Sequence, residues 1–172
     1  GCTGHGLIIN ASNVVLDCQG YSITGSGVGN GIDIYNLRDV VIKNCKVSGF
    51  DIGINLPDSD DVAVLDSSIS DSDSYGIRGQ SSHNFTLMRS DIFGNGNSGV
   101  NFRFTYYSIF TGNKFHDNAK QGLFIDNSRG CVLNDNLAYN NVREGFFLKQ
   151  SDEMYFYYNE IFNNTFFRVA LY

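Results

Sequence analysis

A glycine followed by a large apolar residue recurs at Gly31-Ile32, Gly53-Ile54, Gly76-Ile77, Gly99-Val100, Gly122-Leu123 and Gly145-Phe146, spaced by 22 residues and then by 23 four times over. A beat that regular implies a repeat architecture, in which each unit needs its neighbours to bury an apolar face. Other columns keep the same beat. After each glycine come two apolar positions one residue apart, as in Ile32/Ile34, Ile54/Leu56, Val100/Phe102 and Leu123/Ile125. About eight residues on, a second such pair appears at Val40/Ile42, Val62/Val64, Phe85/Leu87 and Cys131/Leu133, and a third column follows at Val47, Ile69, Ile92, Phe115, Ala138 and Ile161. Alternation with a period of two is the signature of a strand. Each unit therefore predicts three short strands.

Small polar residues fill the corners between them. One corner holds Ser59, Ser82, Thr105, Ser128 and Ser151, the next Ser67, Ser90, Asn113, Asn136 and Asn159, and the last Ser72, Asn95, Asn118, Asn141 and Asn164. Asn and Ser tolerate left-handed backbone and bond nearby main chain, so these columns predict polar ladders. The pattern resembles the right-handed parallel β-helix repeat family, the pectate-lyase-like fold that includes NosD-type and carbohydrate-binding or sugar-hydrolysis modules. The expected fold is all-β, a single solenoid domain over residues 1–172 of about seven coils of 22–23 residues with three strands each. Such a fold carries many functions, so activity has to be argued from the site.

The formal net charge of −6 and the lack of a Lys/Arg cluster argue against nucleic acid. A polyanionic glycan would need a local basic site to overcome that charge. No run of 18 apolar residues is present to span a membrane, and no secretory leader is read in residues 1–172, as expected equally of a mature or fragment sequence. Of the four cysteines, Cys131 sits in an inward column and reads as a buried thiol. A bridge fastening the first coils joins Cys2 to Cys18 or, as the alternative, Cys18 to Cys45, whose column stacks nearby. Sequons at Asn10, Asn84 and Asn163 are candidate glycosylation positions. Together these features point to an extracellular or cell-surface protein.

Function would sit on the outward columns. Beside the first strand, Arg103, Asp126 and Lys149 fall on successive coils with Arg78 close by, the weak catalytic candidates of a lyase-like site. Fragments of a polygalacturonase set occur at Gly4-His5-Gly6 and Asp60-Asp61 in the wrong order, and the Asp-Pro-His motif of β-helix epimerases is absent. NosD-type relatives would suggest copper, but His5, His83 and His116 occupy different coils and columns, so no metal and no cofactor are expected. Phe93, His116, Tyr139 and Phe162 form an aromatic stripe that suggests carbohydrate stacking. Outside the second strand runs an apolar strip of Val41, Leu65, Met88, Ile109, Val132, Tyr155 and Tyr157, a candidate interface. Residues 166–172 read as a further strand and not as a cap. The leading expectation is thus a structural module that joins like chains, as oligomer or fibre, or neighbouring domains, through the strip and its ends. The alternatives are a carbohydrate-binding module and a polysaccharide lyase or hydrolase.

Overall fold

The computed structural model describes residues 3–166 and 169–171, in which short strands are joined by tight corners and no helix occurs among the described residues. The strands pair in parallel into three sheets, eight strands in the first and seven in each of the others. The first sheet runs through Leu7–Ile9, Asn30–Ile34, Ile52–Pro57, Tyr75–Gln80, Val100–Arg103, Leu123–Asp126, Phe146–Lys149 and Val169–Leu171. The second runs from Val14–Asp17 to Tyr155–Tyr157 and the third from Ser22–Thr24 to Glu160–Phe162. Each strand pairs with its counterpart one coil away, so the chain is a parallel β-solenoid of seven three-stranded coils followed by one more first-sheet strand. That last strand lies where the sequence predicts one.

Register matches the columns. Leu7, Ile32, Ile54, Ile77, Val100, Leu123, Phe146 and Val169 are consecutive partners across the first sheet. From Ile32 to Leu148 the inward residues are almost wholly buried and form one continuous core. Burying each large apolar side chain contributes roughly 1.5–3 kcal/mol, and the stacking of coils is what removes it from water.

The recurrent glycines mark close approach. A Cβ built on Gly76 would lie 2.6 Å from the carbonyl oxygen of Gly99 and 2.8 Å from the Ile92 side chain. At this one position, where the chain enters each first-sheet strand, the preceding turn and the next coil come too close for a side chain. Gly79 has a different partner: its Cβ would sit 2.4 Å from the ring of Phe102, which fills that space and packs 4.6 Å from Phe85.

Corners bend through left-handed residues. One coil uses Asp58 and Asp61 at the first corner, Asp66 at the second and Asp71 at the third; the next uses Ser81, Asn84, Arg89 and Gly94. Asn, Asp and Gly adopt this conformation with least strain, whereas a bulky residue there costs on the order of 1 kcal/mol or more. Beside these bends the polar columns form the predicted ladders. The Oδ1 of Asn118 accepts from the backbone N–H of Asn95 at 3.2 Å and from its Nδ2 at 2.9 Å, while the Nδ2 of Asn118 donates to the carbonyl of Ile92 at 3.3 Å. Asn113, Asn136 and Asn159 repeat the arrangement at the second corner. At the first corner Ser82, Ser108 and Ser128 accept from the backbone of Ser59, Phe85 and Thr105.

Cys18 is bonded to Cys45, with an S–S length of 2.03 Å, across the second corner of the first two coils. This corrects the Cys2–Cys18 pairing: corner stacking sets the two Cα atoms 4.8 Å apart, within the reach of a disulfide. Cys2 itself lies outside the described residues. Cys131 is buried, and burial pushes its thiol pKa up to about 11, so it is an inert core group.

Candidate functional site

The outward face of the first sheet carries an open groove of about 540 Å³. Its floor is made by two columns that the strand alternation turns outward. Arg103, Asp126 and Lys149 are register partners on successive strands, as are Asn101, Phe124 and Phe147. The rings of Phe124 and Phe147 stack with centroids 5.4 Å apart, and the Arg103 guanidinium lies 5.7 Å over Phe124. Asp126 is held between the two cations, 4.0 Å from Arg103 Nε and 3.9 Å from Lys149 Nζ, and accepts a hydrogen bond from Asn127 Nδ2 at 2.9 Å. Its side chain is only 9% exposed, whereas those of Arg103 and Lys149 are 52% and 46% exposed. The carboxylate is covered and the cations face solvent.

The other wall comes from the corner between the third and first sheets. Lys120 and Arg143 stand there on consecutive coils, the backbone N–H of Arg143 donating to the carbonyl of Lys120 at 3.1 Å. Below them runs a buried polar ladder: Ser98 Oγ donates to Gln121 Oε1 at 3.0 Å, and Gln121 Nε2 donates to Glu144 Oε2 at 2.9 Å. Four cations therefore line the groove with one carboxylate, Glu144, and a second, Asp126, is covered between Arg103 and Lys149, a locally positive strip on a chain of net charge −6. A basic groove with low-dielectric walls concentrates anionic ligands.

Arg78 lies one coil earlier and lines a smaller recess of about 90 Å³ with Tyr75, Asn101 and Arg103. The structure brings Arg103, Asp126 and Lys149 together with Arg78 at their margin. Sequence reasoning missed Lys120, Arg143, Gln121 and Glu144. The signal existed, because Asn97/Lys120/Arg143 and Ser98/Gln121/Glu144 repeat at the 23-residue spacing, but these columns are polar and sit in a corner without a strand pattern.

The aromatic stripe of the third sheet is an internal stack. Phe93, His116, Tyr139 and Phe162 lie with centroids 5.1, 4.7 and 5.3 Å apart and interplanar angles of 2°, 6° and 4°. The His116 ring is pinned by Asp117 at 2.6 Å and Asp91 at 2.9 Å. Desolvation, with the nearby carboxylates of Asp91 and Asp117, raises the pKa of Tyr139. The ring faces are turned on one another, and between the two end rings only edges face outward. A sugar ring needs a face, so this stripe offers little purchase.

The strip outside the second sheet is in register through Val41, Ala63, Thr86, Ile109, Val132 and Tyr155, with Leu65 and Met88 beside it. Ile109, Tyr155 and Tyr157 are exposed, the others half-buried. Asn10, Asn84 and Asn163 are all exposed. Among the described residues no group of three His, Cys, Asp or Glu side chains is placed to hold a metal ion, and no helix is long and apolar enough to cross a membrane.

A family model described as right handed beta helix region matches residues 30–172. No curated protein sequence matches the chain. Among solved structures, the AlgE6 A-module of the mannuronan C-5 epimerase of Azotobacter vinelandii aligns with a TM-score of 0.85 at 16% identity, over 93% of this chain and 45% of that one. The periplasmic alginate epimerase AlgG aligns with a TM-score of 0.73 at 14% identity, over 98% of this chain and 47% of its own. The enzymatically active domain of tailspike protein 2 of bacteriophage CBA120 aligns with a TM-score of 0.59 at 11% identity, over 75% and 24%. This chain spans less than half the length of each, and at these identities the likeness is one of fold.

Proposed function

The chain belongs to the right-handed β-helix family, and on that premise we propose that it recognises an acidic polysaccharide, a polyuronate, in the groove of its first sheet. The observation that carries this reading is the convergence of Arg103, Lys120, Arg143 and Lys149 over a floor of stacked phenylalanines in an otherwise acidic protein. Guanidinium and ammonium groups hold sugar carboxylates, and the amides of Asn101 and Gln121 in the lining suit hydroxyls. The names of two fold neighbours, epimerases of mannuronan and alginate, support an acidic glycan. The reading is one of binding, carried by the cations and amides that line the groove beside Tyr75 and Glu144. A location outside the cytoplasm accords with the Cys18–Cys45 bridge and with the periplasmic AlgG.

The test is retention on immobilised polymannuronate and polygalacturonate. Arg103→Ala and Lys149→Ala should each weaken retention about tenfold, roughly the loss of one charge-assisted hydrogen bond. Retention should fall steeply with salt, and melting should change little in either single variant, because Asp126 keeps its other cation. Unchanged retention in the double variant, or equal retention on neutral glycans, would sink the proposal.

A second reading, assembly through the second-sheet strip, draws support from the exposed Ile109 and Tyr155 in one continuous apolar column. It predicts that Ile109→Lys with Val132→Lys turns a self-associating wild type into a folded monomer in light scattering. A wild type that is monomeric at every concentration would rule it out.

A further inference from the structure

The corner between the first and second sheets puts aromatic residues at both of its left-handed positions in one coil. In the other coils from Asn36 onward its two left-handed positions are Asn36 and Asp39, Asp58 and Asp61, Ser81 and Asn84, Asn127 and Gly130, and Gln150 and Glu153, none of them aromatic. In the coil that follows Arg103 they are Phe104, with φ of 55°, and Tyr107, with φ of 57°. Bulky side chains are strained in this conformation, and such strain persists where something else requires the residue. Burial is not that requirement: Phe104, Tyr106 and Tyr107 are 45%, 39% and 62% exposed.

The three rings instead shape an open cleft of about 580 Å³ that shares no lining residue with the basic groove. Two of them are held in place. Tyr106 stacks on His83 with centroids 4.6 Å apart, and Tyr107 lies over Gly130, where a Cβ would stand 2.7 Å from its ring. Asn127 and Gln150, which continue the Phe104 column on the next two coils, and Asp152, which follows Tyr106 and Arg129 in register, line the same cleft and bring amide and carboxylate groups. Arg129 in the same cleft is bonded to Glu153, which with Asp152 outweighs its charge.

We propose that this corner is a binding site for a neutral saccharide, separate from the acidic-glycan groove. Rigid aromatic rings with one polar end take the apolar face of a pyranose, and planar amides and a carboxylate accept its hydroxyl protons. The positive charge that would favour an anion is already neutralised, in contrast to the groove.

The test titrates the whole chain with cellohexaose and mannohexaose as neutral probes and follows the aromatic ring signals by NMR. Saturable shifts of Tyr106 and Tyr107 are expected with at least one hexaose. Phe104→Asn and Tyr107→Asn should weaken that binding tenfold or more while the melting temperature stays the same or rises, because asparagine relieves the left-handed strain. Polyuronate retention should be unaltered in both variants, so failure here leaves the groove standing and failure there leaves this corner standing. No saturable shift with either hexaose, binding retained in both variants, or a lowered melting temperature in both would overturn the proposal, the last because it would mean the rings are kept for packing.

Discussion

Replacing Asn118 with alanine should destabilise the chain by about 4 kcal/mol, from two or three buried polar groups left without partners at about 1–3 kcal/mol each. Asn118 is fully buried. Its Oδ1 accepts twice from Asn95, and its Nδ2 donates to the Ile92 carbonyl and, at 2.9 Å, to Asn141 Oδ1. Alanine removes all four bonds, and the site lies too deep for bulk water to replace them. Because each coil touches only its neighbours, the loss falls on the interfaces of one coil. Denaturant unfolding should therefore show a lower midpoint and a broader transition. Asn118→Ser should fall between, since Ser72 occupies the same column two coils earlier and bends the chain without a complete ladder. A loss below about 1 kcal/mol for the alanine variant would show that the ladder specifies the corner without stabilising it.

The second large effect concerns Gly79 and Phe102, which share one volume. Phe102→Ala should cost about 4 kcal/mol, the usual range for emptying a buried phenylalanine site. Gly79→Ala should cost about 2 kcal/mol through overpacking, because its Cβ would meet the Phe102 ring at 2.4 Å and that ring is fixed against Phe85 and, edge-on at 5.9 Å, Phe110. The two should not add. With the ring gone the new methyl has room, so the double variant should be no less stable than Phe102→Ala alone, a favourable coupling of about 2 kcal/mol in a double-mutant cycle. Additive losses would mean that Gly79 is required by its backbone and not by its neighbour.

Much of this was legible in advance. The columns Ile32/Ile34 through Phe146/Leu148 told inside from outside, and Asn95, Asn118 and Asn141 announced a ladder, because both are consequences of one local backbone conformation repeated every 23 residues. Arg103, Asp126 and Lys149 were assigned to one outward column by the same logic. Two expectations needed correction or reweighting. Cys18 had two partners in sequence and one in space, and the stripe of Phe93, His116, Tyr139 and Phe162, open in sequence to sugar stacking or to stacking on itself, has its rings face to face. Column membership says that residues are neighbours and says nothing of how their rings turn.

The fold, its three strands per coil, its core and its polar corners follow from the order of residues, since side-chain direction alternates with a period of two along a strand and a strict repeat places like on like. Only the closed and stacked coils bring Lys120 and Arg143, from a corner, into one groove with Arg103 and Lys149, from strands, and cover Asp126 between its cations. They alone, too, hold Phe104 and Tyr107 in left-handed backbone and exposed. The reason is geometric: convergence across a corner depends on the angle at which one sheet meets the next, and that angle arises only when the coil closes on itself and stacks on its neighbours.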